Sequence, residues 1–359
     1  MYKSFEIQNF RCFREFHIDQ LRRINLIVGM NNVGKTALLE ALFIHSILTN
    51  KKVMDSERFV YGSLKYILSK LWLLRGLTPH KMPSFRRKTE IMLESLFFDF
   101  DTDREMTFKS TEYDKEEHKL TIKVLKHAGI KDYAHIDWIY EHPQALEISF
   151  NISSYIYPYP PEINHKASIS PNRTIDSVVF LASSYRPDPT LDSERLGNLE
   201  VQGEENVIVD ALKIIEPRLK RLFVRVVDEV PIIHGDLGFR SRIPLPLMGE
   251  GMVKLCSIIL AIANAKDGVV LIDEIENGFH YSIQSKVWTA IGKAAERFNV
   301  QVFATTHSRE FIVAAHEAFS DDKYNFRLYR LERIGDEIEA IPYDKESLEA
   351  ALEMDLEVR

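Results

Sequence analysis

The sequence predicts an α/β protein in which helices flank a mostly parallel sheet, with an α+β lobe inserted into the chain. Short apolar runs alternate with helix-length amphipathic segments at both ends of the 359 residues, which is typical of parallel strands joined by helices. From about residue 50 to 176 the pattern changes, and within this region residues 90–126 and 145–157 alternate between apolar and polar side chains, which is typical of antiparallel strands. We therefore expect a head formed by residues 1–49 and 178–359 and an insertion lobe formed by residues 50–177.

The first fifty residues predict three strands and a helix. Residues 3–9 and 13–18 alternate between apolar and polar side chains, as two short strands would. The run INLIV at 24–28 is apolar and ends at Gly29, which indicates a buried strand. The segment TALLEALFIHSIL at 36–48 has helical spacing.

The lobe combines a helical segment with alternating strands. We expect a helix over residues 56–77 and strands within 90–126 and 145–157. The tract YIYPYPP at 155–161 contains three prolines, which exclude regular helix there. Sustained heptads are missing, so the lobe is not a long coiled-coil arm.

The second half of the head returns to alternating strands and helices. Buried strands are expected at 178–182, 269–272 and 300–304. Helices are expected at 206–221 (interrupted by Pro217), 252–265, 281–298, from about Arg309, and near 345–354. Further strands are expected to about residue 234, and two more in the tail.

The composition indicates a soluble protein of a reducing compartment. Cys12 and Cys256 are too few for a disulfide framework, which favours the cytoplasm. No apolar stretch approaches the ~20 residues that span a bilayer, and the start of the chain does not resemble a secretory signal, so no membrane association is expected.

The balance of charge does not favour nucleic-acid binding as a whole, because 46 basic and 53 acidic residues give a net charge of −7. Two local clusters are basic, namely KMPSFRRK at 81–88 and RLKRLFVR at 218–225. Each is either a solvated surface or a track for a phosphate backbone.

A phosphate-binding loop follows the buried strand at 24–28. Residues 29–36 (GMNNVGKT) fit the pattern G-x-x-x-x-G-K-[ST], and the required strand and helix flank them. Glycines let successive N–H groups point at a phosphate, and the positive end of the following helix adds to that field. The nucleotide-binding residues predicted here are Gly29, Asn31, Asn32, Val33, Gly34, Lys35, Thr36 and Ala37. Lys35 is expected to reach the β- and γ-phosphates, and the Thr36 hydroxyl to ligate Mg²⁺.

An acidic pair ends the apolar strand VVLI at 269–272. Asp273 and Glu274 would then lie at the carboxyl edge of the sheet, beside the phosphate loop. We expect Asp273 to hold Mg²⁺ and Glu274 to activate the attacking water.

A histidine follows the next strand, in the stretch VFATTHS at 302–308. The imidazole of His307 could hydrogen-bond a γ-phosphate and sense its presence. The alternative is that Thr306 or Ser308 caps the next helix while His307 is merely exposed.

These three motifs, in this order, resemble the ATPase heads of the ABC superfamily, specifically its SMC/RecF/OLD branch. The opening FEIQNFRCF at 5–13 looks like the N-terminal strand pair of that branch, whose NFR-F element lies near the nucleotide, which implies that Arg11 contacts it. The segments LIDEIENGFH at 271–280 and ATTHS at 304–308 are similar to OLD-family ATPases in particular.

The resemblance covers about residues 1–49 and 178–335, and it implies a signature loop that closes over the nucleotide of a partner subunit. The loop LMGEGM at 247–252 takes this place, with Gly249 and Gly251 as the donors of N–H groups. It departs from the usual LSGGQ pattern, since the serine is missing and Glu250 adds a negative charge. An ordinary helix-entry turn is the alternative.

The family implies a cytoplasmic ATPase that uses ATP and Mg²⁺, dimerises on ATP binding and reopens after hydrolysis. Such a switch acts on a partner protein, for which a nuclease is a candidate, or on DNA, in repair, chromosome maintenance or phage defence. Only 52 residues follow His307, so a Toprim nuclease domain is not expected after the head. The acids of DFDTD at 99–103 are better explained by a solvated turn than by a nuclease site.

Two other functional classes stay open. The ATP-binding subunit of a membrane transporter would call for a regular LSGGQ loop and a glutamine-bearing coupling loop, neither of which the sequence places. A GTPase would call for an N-K-x-D element, and NAKD at 264–267 has the wrong order.

Overall fold

A computed structural model of the chain describes residues 1–50, 63–64, 66–71, 91, 93–126, 144–158, 177–183, 188–320 and 325–358. The strands of these parts are β1 (Tyr2–Phe10), β2 (Phe13–Ile18), β3 (Ile24–Gly29), β4 (Met106–Glu112), β5 (Glu117–Lys126), β6 (Gln144–Phe150), β7 (Ser153–Pro158), β8 (Val178–Leu181), β9 (Arg221–Val227), β10 (Val230–Asp236), β11 (Ile243–Pro244), β12 (Val269–Ile272), β13 (Gln301–Thr305), β14 (Phe326–Ile334) and β15 (Glu337–Tyr343). The α-helices whose two ends both lie in these parts are α1 (Lys35–Leu48), α2 (Pro189–Gln202), α3 (Asn206–Leu212), α4 (Glu250–Asn264), α5 (Gln284–Arg297), α6 (Arg309–Ala318) and α7 (Lys345–Glu353).

A six-stranded sheet in the order β15-β14-β3-β13-β12-β8 forms the centre of the head. All neighbours are parallel except β14 and β15. Every residue of β3, β12 and β13 is buried, as expected for parallel strands covered on both faces. Ile27 pairs with Thr305, and Ile272 with Ala304, so β3, β13 and β12 end side by side at one edge. The predicted α/β fold with a mostly parallel sheet is therefore confirmed.

A second six-stranded sheet is antiparallel, in the order β2-β1-β4-β5-β6-β7. Its first two strands come from the start of the chain and the others from the predicted lobe. The join is the pairing of β1 with β4, in which Phe5 lies opposite Ser110. The lobe strands thus continue a sheet that the first strands begin, while the proposed boundaries at residues 50 and 177 stay a prediction.

Helix α1 lies between the two sheets, and twelve of its fourteen residues are buried. On one side it packs against β3, β8, β12 and β13. On the other side, the Tyr2 hydroxyl of β1 hydrogen-bonds His45 Nδ1 at 2.9 Å and Ser46 Oγ at 2.8 Å. The helix that follows the phosphate loop is therefore held by both sheets.

The opposite face of the parallel sheet is covered by helices that share one apolar core, including Leu255 of α4 and Trp288 of α5. Trp288 Nε1 donates a hydrogen bond to the carbonyl oxygen of Phe311 in α6 at 3.1 Å. A three-stranded sheet in the order β11-β10-β9 packs beside α2. A 3₁₀ turn, Leu245–Met248, joins this small sheet to α4.

The structure departs from the sequence-based expectations in three segments. Within the stretch 90–126, where strands were expected, residues 91 and 93–94 are helical and Phe98–Phe100 is a 3₁₀ turn, and the strands begin only at Met106. The helix expected at 206–221 ends at Leu212, well before Pro217. Helix α2 was not predicted, although the Asp188 side chain caps it by accepting from Thr190 N and Leu191 N. The helix expected at 56–77 and the basic cluster at 81–88 lie largely or wholly outside the described residues, of which 63–64 and 66–71 are helical.

Candidate functional site

The phosphate loop joins β3 to α1, and two of its residues must be glycine. Gly29 has φ 139°, and a Cβ there would lie 2.5 Å from the carbonyl oxygen of Leu331. Gly34 has φ 104°, and a Cβ there would lie 2.8 Å from Cys12 Sγ and from the Phe13 ring. Both glycines are therefore required by backbone conformation and by space. Between them, Asn31 and Asn32 are exposed.

The Lys35 side chain folds back into this loop. Its ammonium donates to the carbonyl oxygens of Gly29 at 2.6 Å and Met30 at 2.8 Å, and the residue is only 6% exposed. Burial lowers the pKa of Lys35, while the charge of Asp273 opposes that shift. The loop thus encloses a cation at the point where its backbone curls.

The next residue, Thr36, faces the end of β12. Its hydroxyl lies 3.1 Å and 3.3 Å from the two carboxylate oxygens of Asp273. Burial raises the pKa of Asp273, and hydrogen bonds from Thr305 and Thr36 act against this. The first and second motifs of the sequence therefore meet at the sheet edge, as their spacing predicts.

Glu274 follows in a strained conformation that three neighbours hold. Its φ is 50°, in the left-handed region that costs energy for a residue with a side chain. Its backbone N–H donates to Thr305 Oγ1 at 2.8 Å, and its carbonyl oxygen accepts from Lys254 Nζ at 3.1 Å. Its carboxylate accepts from Asn277 Nδ2 at 3.0 Å. These bonds fix where the second acid points.

His307 lies in the loop after β13. Its backbone N–H donates to Glu276 Oε1 at 2.8 Å, which ties the loop to the segment after the acidic pair. Ser308 caps α6, since its hydroxyl accepts from Phe311 N at 3.1 Å. The helix cap therefore uses Ser308 and leaves the imidazole of His307 out of that role.

The candidate signature loop forms the start of α4, next to the acidic pair. Gly249 is the N-cap, with φ 109°. A Cβ on Gly251 would lie 3.0 Å from the carbonyl oxygen of Gly278, so this turn packs closely on the segment after Glu274. Glu250, Lys254, Asp273 and Asn277 line one cleft.

Arg11 lies near the phosphate loop, but its guanidinium faces another partner. Cys12 and Phe13 contact Gly34, which brings the NFRCF segment against the loop. The Arg11 Nε lies 3.0 Å from Glu40 Oε2 of α1, with both side chains buried, and its Nη1 donates to the Ser95 carbonyl oxygen at 3.2 Å. The structure thus gives Arg11 a structural partner, and its contact with a nucleotide stays a prediction.

Two polar residues of the site were not among those predicted. Thr305 bonds to both acids, and Lys254 bonds to the backbone of Glu274. Thr305 had a weak signal, as a polar residue at the end of an apolar strand. Lys254 is the single cation of the largely apolar helix α4, and this isolation was a signal that could have identified it. Among the remaining predicted residues, Val33 is buried and Ala37 is partly buried under the loop.

The oxygen atoms of Thr36 and Asp273 are the kind that Mg²⁺ prefers, so these residues fit a magnesium ion that also binds substrate phosphates. Within the described residues, no group of three or more His, Cys, Asp or Glu side chains could hold a metal on its own. The DFDTD segment forms an exposed turn in which Arg104 Nε lies 3.0 Å from Asp101 Oδ2. In the described part of the chain, no helix is long and apolar enough to cross a membrane.

Comparison with protein families decides the class of the site. Residues 24–314 match the family described as "AAA domain, putative AbiEii toxin, Type IV TA system". The chain belongs to this AAA family. The match includes the phosphate loop and the acidic pair, and the protein is accordingly a P-loop NTPase.

Relatives of this AAA protein are distant. A Helicobacter pylori protein named "ATP/GTP phosphatase" is 24% identical over 337 residues, which cover 87% of this chain and 86% of that protein. An uncharacterized protein of Methanocaldococcus jannaschii is 35% identical over 91 residues, or 25% of this chain and 80% of its own length. The solved structure of an SmcHead bound to the C-winged helix domain of ScpA is similar with a TM-score of 0.50 and 11% identity, covering 97% of this chain and 99% of that one. This last likeness shows the fold alone.

Proposed function

We propose that the protein binds ATP through residues 29–36, hydrolyses it with Glu274, and converts the cycle into a conformational switch. The observation that carries this proposal is the junction at the carboxyl edge of the sheet. There Thr36 and Thr305 both hydrogen-bond the carboxylate of Asp273, which joins the start of α1 to the ends of β12 and β13. P-loop NTPases need a phosphate cradle and an acidic pair at such a junction.

Phosphate binding is supported by the charge that the loop already encloses. Lys35 bonds to two carbonyl oxygens of its own loop, and a triphosphate would offer that ammonium stronger, charged acceptors. The N–H groups at the start of α1 add a positive field. A bound Mg²⁺, held by Thr36 and Asp273, would neutralise phosphate charge.

Hydrolysis is assigned to Glu274 as the base that orients and deprotonates water. Its fixed, strained backbone supports this assignment, because such strain concentrates at functional sites. His307 is proposed to sense the γ-phosphate, since its loop is tied by Glu276 to the segment after Glu274. Lys254 is proposed as a positioning residue for Glu274.

Dimerisation on ATP is proposed from the loop before α4. Gly249 is exposed, and the N–H groups at this helix start could bind the γ-phosphate of a partner subunit. The negative charge of Glu250, next to Gly249, would repel a γ-phosphate. We therefore expect the glycine N–H groups to make the contact. This arrangement resembles that of OLD-like ATPases.

The output of the switch is proposed to be an action on a partner protein, for which a nuclease is one candidate, or on DNA. The family description names a toxin, which supports a role in defence against phage over one in repair. The relative named ATP/GTP phosphatase supports nucleotide hydrolysis and leaves the choice between ATP and GTP open.

The decisive experiment compares ATP and GTP turnover with binding in three variants. Lys35→Ala should lose nucleotide binding, because the cation in the loop is deleted. Glu274→Gln should bind ATP but hydrolyse it about 10²–10⁴-fold more slowly, and should sediment as a dimer with ATP. Lys286→Ala, an exposed cation on α5, is the control and should behave as wild type. Wild-type turnover in Glu274→Gln would move the base elsewhere, and a persistent monomer would refute dimerisation.

A further inference from the structure

We propose that the outer surface of the three-stranded sheet binds single-stranded nucleic acid. This surface, called the basic face, consists of Arg221, Phe223 and Arg225 of β9 with Phe239, Arg240 and Arg242 of the β10–β11 loop. It lies outside the nucleotide site, and its binding does not depend on ATP hydrolysis.

The sheet has one apolar side and one polar side. Leu222 and Ile233 point to the core and are 1% and 3% exposed. Arg221, Phe223 and Arg225 alternate with Leu222 along β9 and therefore share the opposite side. The sheet thus presents cations and a ring on the side that faces away from the helices.

Charge is concentrated here in a chain that is acidic overall. Residues 216–242 contain six lysines and arginines against four carboxylates, of which Glu216 pairs with Arg218, whereas the whole chain has a net charge of −7. Arg242 pairs with Asp236, with Nη2 and Oδ2 separated by 3.1 Å. In the described parts of the chain, no carboxylate lies within ion-pair distance of Arg221, Arg225 or Arg240, which are all exposed. A polyanion would supply the missing negative charge.

Two aromatic rings lie among these cations. The Arg242 guanidinium carbon is 5.8 Å from the centre of the Phe223 ring, and that of Arg218 is 5.4 Å from the Phe239 ring. Phe239 is 49% exposed, although burying such a ring is favourable. Rings and guanidinium planes interleaved with phosphate-binding cations are the features on which unpaired bases stack.

The same features favour a single strand over a duplex. Bases of a duplex are stacked on one another and cannot reach rings on a flat sheet, whereas unpaired bases can. The bases of a duplex would make no contact with the Phe223 and Phe239 rings, and its phosphates would contact the cations alone. The occupant of the basic face is therefore single-stranded DNA or RNA.

The basic face is also close in the chain to the nucleotide site. Strand β11 leads through Leu245–Met248 directly to Gly249. Beneath it, a Cβ on Gly235 of β10 would lie 3.0 Å from the sulfur of Met248, so the sheet and the turn are packed without a gap. A nucleic-acid strand bound to the basic face would therefore lie close to the start of α4.

The test measures fluorescence anisotropy of labelled oligothymidylate, oligouridylate and a duplex, each of about 20 nucleotides or pairs, without ATP. Arg221→Gln/Arg225→Gln should weaken single-strand binding at least tenfold at about 50 mM salt and reduce the slope of log K against log salt by about 1.4. Lys286→Gln/Lys293→Gln is the matched control, since it removes two exposed cations from α5. It should leave binding and slope unchanged.

The rings are tested separately. Phe239→Ala should weaken single-strand binding about tenfold, within the range of one lost stack, and leave duplex binding unchanged. Phe100→Ala, which removes a ring that is 65% exposed elsewhere, is its control. The thymidylate and uridylate arms distinguish DNA from RNA. The proposal is overturned if single strands do not bind at low salt, if the duplex binds more tightly, or if the arginine variant binds as wild type. None of these outcomes bears on ATP hydrolysis.

Discussion

Thr305 and Asp273 are joined by a hydrogen bond of 2.6 Å between the threonine hydroxyl and the carboxylate. The same hydroxyl accepts the backbone N–H of Glu274 at 2.8 Å. One side chain at the end of β13 therefore fixes both acids at the end of β12. Because Thr305 is fully buried, water cannot replace either bond.

Thr305→Val should impair hydrolysis without changing the shape of the buried side chain. It removes one hydrogen bond from the Asp273 carboxylate, which keeps Thr36, and it removes the bond of the Glu274 N–H, at a cost of about 1–3 kcal/mol each. We expect slower ATP turnover and weaker activation of that turnover by Mg²⁺ in steady-state assays. Thr305→Ser keeps the hydroxyl and should retain most activity. Equal turnover in the valine and serine variants would show that the hydroxyl does not matter.

Gly34→Ala should abolish nucleotide binding, whereas Gly203→Ala should not. Both glycines have positive φ, of 104° and 70° respectively, so both substitutions carry backbone strain. Only at Gly34 would the new Cβ meet other atoms, namely Cys12 Sγ and the Phe13 ring at 2.8 Å. Nucleotide affinity, measured by calorimetry, should fall for Gly34→Ala alone. A similar loss of nucleotide affinity in both variants would show that backbone strain, and not the contact of the new Cβ at Gly34, causes it.

His45 should make the protein sensitive to acid. Burial lowers the pKa of His45 to about 3, so between pH 6.5 and 3 the unfolded state binds more protons than the folded state. The free energy of unfolding therefore decreases as the pH is lowered through this window, and at pH 5 it is about 2 kcal/mol below its value at neutral pH. His45→Gln should lack this component in denaturant unfolding, while His17→Gln, at an exposed histidine, should keep it. Parallel pH profiles for wild type and His45→Gln would contradict the assignment.

Arg11→Leu should destabilise the fold by about 3–5 kcal/mol, because it removes the cation that lies 3.0 Å from the buried Glu40 carboxylate. Arg11→Leu/Glu40→Leu should recover much of that loss, since no isolated charge remains. Thermal unfolding measures both effects. ATP affinity of the double variant then decides the nucleotide contact predicted for Arg11. Unchanged affinity would leave Arg11 with a purely structural role.

The sequence predicted the motifs of the site because each follows a buried strand. The order of apolar run, glycines and lysine at 24–35 places Lys35 at a sheet edge without any tertiary information. The run at 269–272 does the same for Asp273. For Lys35 and Asp273 to lie at the same edge, the two strands only had to be parallel. The alternation of strands with helices indicated that they are.

Other features depended on contacts between distant segments, which periodicity does not report. The bonds of Thr305 to the two residues that follow β12, and of Lys254 to Glu274, exist only once β12, β13 and α4 have packed. Likewise, the sequence-based expectation for Arg11 was a contact with the nucleotide, and the buried carboxylate that it pairs with, Glu40, is 29 positions away. Helix α2 was missed because its mean polarity hides an apolar side formed by Leu196 and Leu199.

The pairing of β1 with β4 has a consequence for any attempt to shorten the protein. Deleting residues 50–177 would strip β1 of its neighbour and leave a free, unprotected strand edge beside Phe5 and Ile7. It would also uncover apolar surface in the layer around α1. Open strand edges and large apolar patches promote aggregation. A miniature ATPase made by excision would therefore precipitate, however completely it kept the residues that bind phosphate.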